Sequence, residues 1–274
     1  MPTYVVRVWV PDRPGALGAV ASRIGAVRGD LVGIDILERG AGRAIDELVV
    51  ELPEASLLDL MVGEITEVDG VDVEDVRQAR ALSDPRLDAL ETAAYLVERQ
   101  DPADLLEALV GHAVRDFEAE WAAVVDPSAP RWLAASGTTP PEAWISAFVR
   151  GARASNWADG AAALSPTDVA WADLAGACLV LVLGRDGRPL RTRERRQLSA
   201  LARIADNRWA ELVAGLGAKG SAEARAQSVL AHPAATRGAP PSGPRAARAS
   251  RQSFRGVPDG RSPMEVPAGR LNLP

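Results

Sequence analysis

The stretch Val10-Pro11-Asp12-Arg13-Pro14-Gly15-Ala16-Leu17-Gly18 constrains this chain more than any other. Upstream, Tyr4, Val6, Val8 and Val10 alternate with Val5, Arg7 and Trp9, which predicts a strand with one apolar face. Downstream, Leu17, Val20, Ala21, Ile24 and Val27 recur at threes and fours, which predicts a helix over 15–28 with one buried stripe. A tight turn must join the two. Pro14 presets a backbone angle suited to a first helical turn. Gly15 and Gly18 let another backbone or a small ligand come close. A helix N-terminus offers unpaired N–H groups and a partial positive charge, which suits a carboxylate or phosphate. Asp12 can instead cap the helix.

The same periodicities continue to residue 80. Gly29 is placed to cap the first helix, and Val32, Ile34 and Ile36 predict a second strand. Gly40-Ala41-Gly42 reads as a hairpin turn; it lacks the following helix that a phosphate loop needs. Leu48, Val50 and Leu52 predict a third strand, Pro53 opens a second helix with Leu57, Met61 and Ile65 on one side, and Val71, Val73 and Val76 predict a last strand. The order is βαββαβ. It closes as a four-stranded antiparallel sheet with both helices on one face and strands two and four at the edges. The other face would carry Val5, Arg7, Trp9, Leu37, Ile45, Glu47 and Val49. That is too apolar for open water, so this face is expected to meet a second copy or the second domain; the alternative is partial exposure with Arg7 paired to Asp35 or Glu47.

With this order and this turn, residues 3–78 resemble an ACT domain. Such domains have the ferredoxin-like βαββαβ fold and are regulatory modules that bind amino acids and other small metabolites, usually as pairs. The resemblance implies a ligand site made of Asp12, Arg13, Pro14, Gly15, Ala16 and Leu17, closed by Gly33, Ile34 and Asp35 of a partner domain. Backbone N–H groups near Gly15 to Leu17 would hold a carboxylate, and Asp12 or Asp35 would accept from an ammonium group. Serine-sensing members carry a histidine where Val10 stands and asparagines near Asp12 and Gly33, so the resemblance argues against serine. Other members bind no known ligand and only dimerise.

Ser83-Asp84-Pro85 breaks the chain, so 81–85 reads as a linker between a first domain over 1–80 and a second over 86–214. Leu87, Leu90 and Ala94 mark one helix, and Leu105, Leu106, Leu109, Val110, Ala113 and Phe117 another. Strands follow at Trp121–Val125 and Trp132–Ala135, then a helix opened by Pro140-Pro141-Glu142. Val169–Leu174 and Cys178–Leu183 read as strands joined to a last helix capped by Thr192, with Leu198, Leu201, Ile204, Ala205, Trp209 and Leu212 on one side. This α/β order around a central antiparallel sheet resembles a GAF-like domain, most closely at Leu179–Gly184 and Gly187-Arg188-Pro189-Leu190. Five tryptophans, Trp121, Trp132, Trp144, Trp157 and Trp171, either fill this core or line a pocket for a planar ligand or a cation.

Charge divides the chain. Residues 219–274 hold Lys219 and eight arginines against Glu223, Asp259 and Glu265, for +6 within a total of −6. The rest carries −12, so no general affinity for nucleic acid or an anionic membrane is expected. The Pro-, Gly-, Ala- and Arg-rich stretch 215–274 is expected to be a disordered tail. Cys178 is the only cysteine, no apolar run approaches the roughly 20 residues of a membrane span, and no signal peptide is visible, which together suggest the cytoplasm.

Catalytic groups are sparse. His112 and His232 are the only histidines, and one of them falls in the tail. Glu118 with Glu120, and Glu47 with Glu51, fit solvated faces as well as an acid/base pair. The expected protein is α+β, with no catalytic residue, no metal and no cofactor. It binds an amino acid or similar small metabolite, dimerises and signals to a protein partner. The alternative is a ligand-free dimerisation and interaction scaffold.

Overall fold

The computed structural model describes residues 1–79, 85–129, 131–154 and 168–231, with side chains to residue 216. The chain divides into two compact units, Met1–Ala226 and Gln227–Pro274, and both of its sheets lie in the first. Among the described residues, no helix is long and apolar enough to cross a membrane.

Alternation in the first eighty residues produces the expected sheet. Strands β1 (Thr3–Pro11), β2 (Asp30–Gly40), β3 (Arg43–Glu51) and β4 (Asp72–Gln78) pair antiparallel in the order β2-β3-β1-β4. Helices α1 (Ala16–Ala26) and α2 (Leu58–Thr66) bury Val20, Ile24, Met61 and Ile65 against Tyr4, Val6, Val8, Leu48 and Val50. Each fully buried aliphatic side chain of this kind stabilises by about 1.5–3 kcal/mol. Ala41 and Gly42 both have positive φ, so the β2–β3 connection is the two-residue hairpin that twisted strands favour.

Helix ends depart from the sequence reading. α1 starts at Ala16 with Gly15 as its N-cap, so Pro14 precedes the helix and does not sit in its first turn. No side chain caps it, so Asp12 has no capping role. At the other end the left-handed residue is Arg28, at φ 62°, not Gly29. Gly29 is needed for space: its N–H donates to Ile24 O at 3.0 Å, and a Cβ there would stand 2.9 Å from Ile24 Cγ2. Pro53 does not open α2, which follows a 3-10 turn over Ala55–Leu57.

The second sheet comes from β5 (Trp121–Asp126), β6 (Arg131–Gly137), β7 (Val169–Leu174) and β8 (Leu179–Gly184), antiparallel in the order β6-β5-β8-β7. Alternation sends Ala122, Val124, Leu181 and Leu183 to one face, against α4 (Pro102–Asp116) and α6 (Thr192–Ala231). It sends Trp121, Ala123, Val125, Val180 and Val182 to the other, against Ile145 and Val149 of α5 (Glu142–Ala154). Asp101 caps α4, accepting from Ala103 N at 2.8 Å. Thr192 is the first residue of α6 and not its cap; the Glu194 side chain reaches back to accept from Arg191 N at 2.7 Å. Cys178 is exposed in the turn before β8 rather than inside the strand.

Of the linker 81–85, only Pro85 is described, and it opens α3 (Pro85–Val97). α6 runs on to Ala231, seventeen residues past the expected domain end at 214, because its Ala-rich sequence supports helix where a disordered tail was expected. The rest of that tail, 232–274, lies outside the described residues, and so do Trp157 and His232.

The open face of the first sheet is covered by the second half of the same chain. Arg7 is fully buried there. It donates to Glu47 Oε1 at 2.8 Å and to Pro189 O at 2.8 Å, and lies 3.5 Å from Glu194. Arg77 Nε is 2.7 Å from Glu118 Oε2, and Arg188 donates to the same oxygen at 2.6 Å. Arg191 pairs with Glu74 and stands 5.1 Å over the Trp9 ring. Arg193 pairs with Asp35. Residues 185–195 thus form a basic strap across an acidic sheet face. Of the two partners expected for Arg7, Glu47 is the one used.

Candidate functional site

The turn after β1 is built by short backbone bonds. Asp12 N donates to Gly42 O at 2.9 Å, which ties it to the β2–β3 hairpin tip, and Arg13 N donates to Pro11 O at 2.8 Å. Gly15 then turns the chain at φ 88°, a left-handed conformation in which a side chain would be strained. Residues 12–15 are exposed, and Arg13 lies 3.5 Å from Asp69 across open solvent. Ala16 N donates to Arg13 O at 3.3 Å. Among the described residues, the N–H groups of Leu17 and Gly18 have no backbone acceptor, as the start of a helix requires. They can hold an anionic group.

One copy does not bring Gly33, Ile34 and Asp35 to this turn. Register sets Pro11 level with Gly40 across Arg43. Gly33 is seven residues back along β2, roughly 20 Å away at about 3.3 Å per residue. The two halves of the expected site meet only if a second copy supplies one of them. Gly33 itself packs closely, since a Cβ there would stand 3.2 Å from Val49 Cγ2. The Asp35 carboxylate is engaged by Arg193.

Asp46 on β3 lies nearer the turn, and sequence reasoning passed it over. It sits between Val8 and Ile36 in register, on the same face as Leu48 and Val50 under the helices. It is buried, and its Oδ1 has no hydrogen-bond partner. Burial pushes its carboxyl above the ordinary value; Arg39 opposes this and the charge of Asp12 adds to it. Ile34 and Ile36 share this face on the edge strand, 43% and 38% exposed. A helix end, a buried carboxylate and an apolar edge therefore lie around one corner of the sheet. A signal existed: Ala44, Asp46, Leu48 and Val50 alternate into the core, and Asp46 is the charged member of that row.

A second polar cluster joins α3 to α4. Thr92 Oγ1 donates to Asp116 Oδ2 at 2.6 Å and lies 2.9 Å from His112 Nδ1, while Arg115 Nη2 reaches the same nitrogen at 2.6 Å. With a guanidinium donating to it, His112 Nδ1 is the acceptor. Burial and then Arg115 hold the imidazole below its ordinary pKa, against the opposing charge of Asp116. The carboxylate serves the threonine and not the histidine, so this is not the arrangement of an activated nucleophile. Among the described residues, no group of three or more His, Cys, Asp or Glu side chains is disposed to hold a metal ion.

No family model matches the chain, and no curated protein matches it. Solved structures similar to part of it include the crystal structure of the ACT domain from GTP pyrophosphokinase of Chlorobium tepidum. That chain is matched over 100% of its length and 29% of this one, at 15% identity and a TM-score of 0.24. The solution structure of the same domain matches at 16% identity and a TM-score of 0.24, covering 30% of this chain and 90% of that one. A formyltetrahydrofolate deformylase from Pseudomonas putida matches at 15% identity and a TM-score of 0.24, covering 32% of this chain and 36% of its own.

Proposed function

We propose that the chain is a non-catalytic regulatory protein of the cytoplasm. It binds a small metabolite, an amino acid, at Asp12–Leu17, and Gly33–Asp35 of a second copy close the site across a homodimer. The second half, GAF-like in its order of helices and strands, relays the state of that site to a protein partner.

Asp46 supports this reading best. A buried carboxylate oxygen without a hydrogen-bond partner, as Asp46 Oδ1 is, is unfavourable by itself. It lies near a helix end whose N–H groups have no acceptor either. A zwitterion satisfies both. Its carboxylate accepts from Leu17 and Gly18 N–H, and its ammonium group donates to Asp46 and Asp12. Val32, Ile34 and Ile36 on the unpaired edge strand favour a second copy beside β2. The strap supplies the relay: Arg193 holds Asp35, so whatever competes for Asp35 loosens residues 185–195 from the sheet.

The exposed β2 edge equally favours the scaffold reading, which needs no ligand. Thermal unfolding of the full chain with each of the twenty amino acids, alongside its oligomeric state, separates the two. The expected result is a saturable rise in Tm with one or a few amino acids. That rise is lost with the des-amino analogue and in Asp46→Asn, while the dimer persists. A stable dimer with no rise for any amino acid overturns sensing and leaves the scaffold. A monomer overturns the shared site.

A further inference from the structure

The tryptophans of the second half do more than fill a core. Trp121 opens β5 directly across from Gly184, the last residue of β8. The indole lies on that glycine: a Cβ at Gly184 would stand 2.5 Å from Trp121 Cζ2, so only glycine admits the ring. Trp144 of α5 meets Trp121 edge to face, with centroids 6.3 Å apart at 83°, and stacks on Phe148 at 5.7 Å and 6°. Trp121 is buried, yet Trp144 is 45% exposed. Together they wall a cavity of about 210 Å³.

The rest of the lining mixes three acidic residues with Pro140, Val169, Gly184 and Arg185. Glu120, Asp168 and Asp186 border the cavity, and among the described residues none is paired with a cation. Arg185 also borders it, but its donors are spent elsewhere. Nε donates to Arg188 O at 2.8 Å, Nη1 to Phe117 O at 2.9 Å, and Nη2 to Pro189 O at 2.9 Å and Glu194 at 2.7 Å. Among the described residues, the three carboxylates thus have no ion-pair partner. They are not disposed to hold a metal ion. Such a wall repels an anion such as a nucleotide. It attracts a cation whose charge is spread and whose surface is apolar, because indole faces are electron-rich and the carboxylates act over a few ångströms.

We propose that this cavity binds a small organic cation of the quaternary-ammonium or alkylamine class, seated against Trp144 and Trp121 and countered by Asp168 and Asp186. The site is separate from the amino-acid site and does not depend on it.

The test is a titration of the full chain with choline at constant ionic strength, read by tryptophan fluorescence and by Tm. The neutral isostere 3,3-dimethylbutan-1-ol serves as the control. The expected result is a saturable response to choline and none to the alcohol. Trp144→Leu and Asp168→Asn should each weaken binding about fivefold, and Asp168→Asn should do so at an unchanged unliganded Tm. No saturable response, an equal response to the alcohol, or binding unchanged in both variants would overturn the proposal.

Discussion

The two sheets have the same number of strands and the same antiparallel pairing, but they solve the problem of their second face differently. The second sheet is apolar on both sides, with α4 and α6 over one face and α5 over the other. The first sheet has helices on one side only. Its other side carries Arg7, Glu47 and Asp35 and is covered by the strap 185–195 through ion pairs. Apolar burial involves no titrating group, whereas ion pairs weaken with screening and with protonation of their carboxylates. The second sheet is thus a fixed body, and the strapped face is where solution conditions or a ligand can act.

The sharpest break between the two faces comes from Arg7→Ala. It leaves Pro189 O without its donor and Glu47 with Arg77 alone, and should cost about 3–5 kcal/mol in urea unfolding. Leu181→Ala in the second sheet should cost about 2–5 kcal/mol through a cavity. Only the cost of Arg7→Ala should depend on salt and acid.

Acid should act next. Burial pushes the Glu47 carboxyl up, but Arg77 and Arg7 outweigh it and hold it below its ordinary value. Glu118 is likewise held low, burial being outweighed by the Arg188 hydrogen bond and the Arg77 charge. Carboxyls lowered in the folded state contribute stability that is present above their ordinary value of 4.5 and lost as pH falls through the folded values. Stability measured against pH should therefore drop below about 4.5, and Glu47→Gln or Glu118→Gln should flatten that limb.

Asp46→Asn has the opposite sign. A carboxyl raised by burial weakens the fold once it ionises, so its neutral replacement should stabilise the unliganded protein at neutral pH. A loss of stability would mean Asp46 is satisfied at rest. His112 gives a smaller effect at milder pH. Its folded pKa lies below 6.5, so the unfolded chain takes the proton more readily, and stability should decline as pH falls from about 6.5. His112→Gln should remove that slope. The smallest change is Arg193→Ala, about 0–1 kcal/mol and screened by salt, because its pair with Asp35 is partly exposed.

Much of this was legible in the residues. Tyr4 to Val10, Leu17 to Ile24 and Leu179 to Leu183 announced their elements because periodicity is a local property. Helix ends were less legible: Gly15 in place of Asp12, and Arg28 in place of Gly29, were decided by close packing against Ile24 and by backbone bonds with no side-chain signature. Asp46 was visible as a break in an apolar row. Its lack of a partner was not, because that depends on what three strands and a helix leave around it.

By itself, the sequence determined the βαββαβ order, the turn Asp12–Leu17, the antiparallel sheets and the apolar stripes, since each follows from neighbours within a few residues. Tertiary structure alone decided that Arg7 is paired with Glu47, that Arg193 takes Asp35, and that Gly33 stands far from the turn it was expected to face. It also decided that Trp144 meets Trp121 beside three carboxylates that have no ion-pair partner among the described residues. These are contacts between residues up to 182 positions apart, and their partners are chosen by charge, shape and register after the chain has closed.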